Sequence, residues 1–129
     1  MINYSMSLKK KINLNDLTVV IPTIGRSKEL NDTLKFLNKG NNKPNKIIII
    51  IPKAELLNLD IDYFENVKVY ASTQYGQVKQ RIKGFLLSKT KLTMQLDDDC
   101  LINQESILKL KENLLILGKK NCIGPIFLS

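Results

Sequence analysis

Five consecutive isoleucines, Ile47 to Ile51, constrain this chain more than any other stretch. Successive side chains of a strand point to opposite faces, so an extended run of this kind is apolar on both. β-Branched residues are stiff at χ1 and suit a pleated surface better than a helix. The run is therefore expected to be a central strand buried on both sides. Parallel pairing follows, because the helices that connect parallel strands supply the two covers. Gly40, Asn41, Asn42 and Pro44 precede it and stop whatever helix comes before.

The flanking sequence alternates strand and helix. Leu17 to Ile21 reads as a short strand closed by Pro22, and Ser27 reads as the N-cap of a helix carrying Leu30, Leu34 and Leu37. Lys53 to Leu59 is expected to form a helical turn and Val67 to Ala71 a third strand. Gly76 to Ser88 has helical spacing through Val78, Ile82, Phe85 and Leu86, and Leu92 to Leu96 is a fourth strand. Asn103 to Leu117 reads as an amphipathic helix with Ile107, Leu110, Leu114 and Leu117 inside and Gly118 as its stop. A last strand is expected near Cys122. The fold class is α/β: a mostly parallel sheet with right-handed crossovers and helices on both faces. With 129 residues, 43% of them apolar, the chain suits one domain, residues 14–129, behind a loosely held arm, residues 1–13.

Composition removes several function classes. The chain has no histidine, which excludes Ser-His and Cys-His nucleophilic systems. Cys100 and Cys122 are its only cysteines, and neither has ligand spacing for structural zinc or belongs to a disulfide scaffold. No apolar block approaches the roughly 20 residues of a spanning helix, and Met1 to Ser7 lacks a signal-peptide core, so a soluble cytoplasmic protein is expected. The net charge is +8, but lysine supplies 18 of the 20 basic residues and is scattered along the chain. Nucleic acid is not an expected partner. Peripheral contact with anionic lipid heads at the inner face of a membrane is compatible with such a balance.

Ligands of open α/β sheets bind beyond the carboxyl ends of the strands, and three features fall there. Asp97-Asp98-Asp99 follows the fourth strand. Three adjacent carboxylates repel one another unless a cation or hydrogen bonds neutralise them, and Mg²⁺ or Mn²⁺ is the natural cation for such oxygens. If the strand stays extended, Asp97 and Asp99 share one side, able to hold a metal and a ribose, and Asp98 takes the other. Gln77 and Arg81 lie on one face at a helix start, an arrangement suited to pyrophosphate. Pro22, Thr23 and Arg26 follow the first strand, where a nucleotide lies against the backbone and a guanidinium reaches a phosphate or caps the loop.

VVIPTIGRSKEL, GQVKQRIKGF and LTMQLDDDCLI, in this order and spacing, resemble family-two glycosyltransferases of the GT-A fold from Leu17 to Ile102. The resemblance implies the nucleotide-sugar-binding half of such an enzyme, of hexosyltransferase type and serving polysaccharide synthesis. It would take a nucleotide-diphosphate sugar donor and a carbohydrate or lipid-linked acceptor. It implies that Pro22 and Thr23 lie along the nucleotide, Arg81 approaches the diphosphate, Asp97 or Asp98 holds the ribose, and Asp99 stands nearest the metal. Two departures matter. Ile51 to Glu55 lacks an acidic residue directly after the second strand, where many relatives read the base, and relatives draw their general base from a later half. An incomplete domain is therefore expected, with a non-catalytic nucleotide-sugar-binding remnant as the alternative reading. Other classes fit less well. Pro22 to Arg26 has one glycine where a nucleotidyltransferase carries a glycine-rich loop, the aspartates come too late for a haloacid dehalogenase-type phosphatase, and no P-loop GKS or GKT occurs.

Overall fold

A computed structural model describes residues 12–62, 64–73, 75–118 and 123. Strands β1 (Leu17–Pro22), β2 (Lys46–Pro52), β3 (Val67–Ser72) and β4 (Leu92–Gln95) alternate with helices α1 (Ser27–Leu37), α2 (Gln77–Leu87) and α3 (Gln104–Leu117), and a 3-10 turn covers Lys53–Asn58. All four strands are parallel, in the order β3-β2-β1-β4. The isoleucine run is the interior strand β2, fully buried from Ile47 to Pro52. This is the α/β arrangement that the run demands.

The alternation along each strand divides the core in two. Val19 and Ile21 of β1 join Ile47 and Ile49 of β2 beneath Leu30, Leu34 and Leu37 of α1 and Ile107 of α3. Val20 faces the other way and pairs in register with Ile48. There α2 packs on β1 and β2, with Gly84 against Val20. Each isoleucine or leucine so enclosed contributes about 1.5–3 kcal/mol by leaving water. β4 alternates half-buried and exposed positions, as an edge strand does.

Three expectations need correction. Ser27 is not the N-cap: Arg26 occupies that place without a side-chain bond, and the Ser27 hydroxyl accepts the Asp60 N–H at 2.9 Å instead. In α2 the apolar stripe does not face inward. Gln80 and Gly84 are buried, while Val78, Ile82, Phe85 and Leu86 are exposed. A helix lying close on β1 needs a small residue at the contact, and Gly84 is the one α2 has. In α3, Ile107 is buried and Leu110 and Leu114 are partly covered, but Leu117 is exposed. Asn103 caps α3 by accepting the Ser106 N–H at 2.8 Å, and Gly118 ends it at φ 98°, as expected. From the arm, Asn13 is tied down through its carbonyl, which accepts from Lys111 at 2.6 Å. The expected strand at Cys122 lies outside the described residues.

A methyl group added at Gly84 would sit 2.2 Å from Val20 Cγ1. Gly84→Ala is therefore expected to destabilise the protein by about 1–3 kcal/mol, the usual cost of overpacking, despite alanine's better helix propensity. Urea unfolding checks it: a higher midpoint would mean that α2 does not rest on β1 at this position.

Candidate functional site

From β1 the chain steps outward to β2 and β3, whereas β4 lies on the other side of β1. The loops after β1 and β4 consequently diverge and leave a crevice at the switch point. A cleft of about 250 Å³ occupies it, lined by Pro22 at the end of β1, Thr23 and Arg26 after it, Gln77 at the start of α2, and Asp97, Asp98 and Asp99 after β4. Arg81 joins this group through Asp97, which it contacts at 3.1 Å. The residues expected from the three sequence features are thus neighbours in space.

The three aspartates differ in their surroundings. Strand pairing ends at Gln95, and a turn at Asp98 and Asp99 brings the Cys100 N–H to the Asp97 carbonyl at 3.3 Å, so the chain does not stay extended through the triplet. Asp98 points into the protein and is buried. Its carboxylate accepts from Thr23 Oγ1 at 2.7 Å and from Arg26 through Nε and Nη2. Thr23 in turn accepts the Gly25 N–H at 3.2 Å, which closes the β1 loop, and Gly25 has φ 102°, the left-handed region that favours glycine. The Asp98 carbonyl accepts from the buried Thr33 hydroxyl of α1 at 2.9 Å. Hydrogen bonding to Asp98, reinforced by its charge, holds the Arg26 guanidinium above its ordinary pKa. Asp98 is therefore the staple between the β1 and β4 loops, and its oxygens are engaged within the protein.

Asp97 and Asp99 remain in the cleft, with side chains 59% and 53% exposed. Among the described residues, the ion pair of Asp99 is a long one to Arg26, 3.7 Å. Arg81 donates to Asp97 and, at 3.2 Å, to Gln77 one helical turn back. In the amide orientation that satisfies its neighbours, Gln95 also accepts from Arg81 Nε at 2.8 Å. Among the described residues no three acidic, cysteine or histidine groups converge as a metal cage. Two hard carboxylates with open lone pairs still suit Mg²⁺ or Mn²⁺, which keep several waters and bind through one or two carboxylates plus substrate phosphates. Partial burial, with the charges of Asp97 and Asp99, pushes the nearby Cys100 thiol up.

The sequence model of glycosyl transferase family 2 matches residues 18–128, which takes in every element of the cleft. The chain belongs to this family. No curated protein matches it. Family membership makes the chain a glycosyltransferase in general terms, with the GT-A type of parallel sheet already described, and family-two enzymes generally use nucleotide-sugar donors and acceptors. Among the described residues, no helix is long and apolar enough to cross a membrane.

Two residues of this family-two site escape sequence reasoning. Gln80 is buried, and its amide donates to the carbonyls of Thr23 at 2.9 Å and Ile50 at 2.7 Å, tying together the carboxyl ends of β1 and β2 beneath the cleft. Thr33 holds the aspartate turn through the carbonyls of Asp98 and Cys100. Each is a polar residue facing the sheet or core. Thr33 is recognisable as the polar member of the Leu30, Leu34, Leu37 face. Gln80 is concealed because α2 has its apolar side chains on the opposite side.

Gln80→Leu keeps the bulk but strands the buried Thr23 carbonyl, at about 1–3 kcal/mol for an unpaired group, while the Ile50 carbonyl keeps the Thr23 N–H at 3.0 Å. The variant is expected to lose stability in urea and to bind ligand in the cleft more weakly, because the Thr23 loop loses its anchor. Unchanged unfolding would show that water replaces the amide.

Proposed function

We propose that the cleft binds a nucleotide-diphosphate sugar and that the chain belongs to an enzyme transferring the sugar, of hexosyl type, to a carbohydrate or lipid-linked acceptor in polysaccharide synthesis. The observation that carries this reading is the unequal division of the three aspartates. Asp98 is consumed internally by Thr23 and Arg26, while Asp97 and Asp99 keep open oxygens in the same cleft as two arginines. Carboxylates and guanidiniums presented together suit a ligand that is itself anionic and binds with a cation, as a nucleoside diphosphate does.

Each residue then has a defined part. Asp97 and Asp99 would hold Mg²⁺ or Mn²⁺, with Asp97 also available to the ribose. When bound, the metal neutralises diphosphate charge and so eases departure of the nucleotide. Arg81, carried by α2 and oriented by Gln77 and Gln95, presents its guanidinium to the diphosphate. Arg26 pairs with Asp98 and leaves Nη1 toward Asp99 and the phosphates. Pro22 and Thr23 form the wall along the nucleotide, with the Thr23 carbonyl already committed to Gln80.

Calorimetry with UDP and GDP is expected to show binding that requires Mn²⁺ or Mg²⁺ and disappears in EDTA. Asp99→Asn is expected to weaken that dependence without loss of stability. Asp98→Asn is expected instead to lower stability by about 1.5–3 kcal/mol, the worth of hydrogen bonds to a charged group. Equal nucleotide affinity with and without metal would remove the cation from the mechanism.

Arg81→Lys retains the charge but loses the planar fork. Diphosphate binding is expected to weaken by about 1.5–3 kcal/mol while nucleoside binding barely changes. Equal losses for the two ligands would show that Arg81 supports the fold rather than the diphosphate.

A further inference from the structure

The outward face of α2 is a feature that the cleft leaves unused. With Gln80 and Gly84 turned to the sheet, Val78, Ile82, Phe85 and Leu86 form one outward stripe, exposed to 66%, 52%, 44% and 81%. Contiguous apolar exposure of this kind marks a contact surface. Charge indicates what the contact is. From Gln77 to Lys91 the chain carries Lys79, Arg81, Lys83, Lys89 and Lys91 and no acidic residue. Helices α1 and α3 mix the two signs, with Glu29 and Asp32 beside Lys28 and Lys35 in the first, and Glu105 and Glu112 beside Lys109 and Lys111 in the second. Arg81 is paired with Asp97, while Lys79, Lys89 and Lys91 are exposed. Two copies meeting through this face would bring like charges together in a chain of net charge +8.

We propose that the outer face of α2 docks on an anionic lipid surface. The stripe enters the boundary between headgroups and acyl chains, and the flanking lysines meet lipid phosphates, as in interfacial amphipathic helices. The packing of α2 explains why its apolar residues are outside: Gly84 gives the close approach to β1, which leaves the bulky side chains to the far face. Gln77, in the first turn of the same helix, lines the cleft, so docking holds the cleft next to the bilayer. Given the proposed function, this geometry favours an acceptor carried on a lipid.

The chain contains no tryptophan, so Ile82→Trp supplies a single reporter on the stripe. Vesicles of phosphatidylcholine containing phosphatidylglycerol are expected to shift its emission to the blue and protect it from iodide, whereas phosphatidylcholine alone leaves it unchanged. Raised salt is expected to weaken the response. In the same background, Lys79→Glu with Lys89→Glu, and separately Val78→Ser with Leu86→Ser, are each expected to lower vesicle affinity on the order of tenfold. Circular dichroism checks that these surface variants stay folded. The vesicle readout needs no nucleotide, so it fails or succeeds independently of donor binding. No shift with anionic vesicles, or equal response to neutral ones, overturns the proposal. A blue shift that grows with protein concentration in the absence of lipid also overturns it, by showing that the face pairs copies of the chain.

Discussion

Burial of β2 on both faces is the constraint on which everything else depends. Ile47, Ile49 and Ile51 cannot share a cover with Ile48 and Ile50, so the chain must supply one layer above the sheet and another below. Helices α1 and α3 form one layer and α2 forms the other. Because α1 and α2 each connect parallel strands, both start at the carboxyl ends of strands, and the cleft lies between their first turns. The position of the site is thus a consequence of how the isoleucine strand is covered.

Within the cleft the decisive balance is electrostatic. Three adjacent carboxylates would destabilise a loop if all faced the same space. The turn after β4 separates them, with Asp98 buried against Thr23 and Arg26 and its neighbours left toward solvent. Burying a carboxylate is costly unless it is paired and hydrogen-bonded, and Asp98 has a charged partner and a hydroxyl donor. The outcome joins two loops distant in sequence and keeps two of the three charges available for a ligand. Thr33 and Gln80 extend the same logic to the backbone, donating to the carbonyls of Asp98 and Thr23 in the two loops that line the cleft.

Helix α2 shows where pattern and packing part. Its spacing through Val78, Ile82, Phe85 and Leu86 is a good amphipathic signal, and the helix forms where that signal predicts. Periodicity identifies an apolar face but not what the face meets. A helix settles on a sheet through the face allowing the closest approach, and here that face holds Gly84, with Gln80 sealing the strand ends. The large side chains are displaced outward, where among the described residues they are left exposed.

From sequence alone the α/β class, the four strands, the three helices and the neighbourhood of Pro22, Thr23, Arg26, Gln77, Arg81 and the three aspartates are legible. They rest on local alternation, capping chemistry and the rule that ligands sit at strand carboxyl ends. The contrast between Asp98 and its neighbours was legible only on the condition of an extended strand, and a turn after β4 produces it instead. Which carboxylate goes inside, that Arg26 and Thr23 receive it, that Gln80 lies beneath the cleft, and that α2 turns its apolar stripe outward were decided by tertiary structure. Those facts depend on pairs such as Thr23 with Asp98 and Val20 with Gly84, separated by some 60 to 75 residues. Such contacts form only when the sheet brings distant strands together, and no local propensity encodes which of several compatible partners will be within reach.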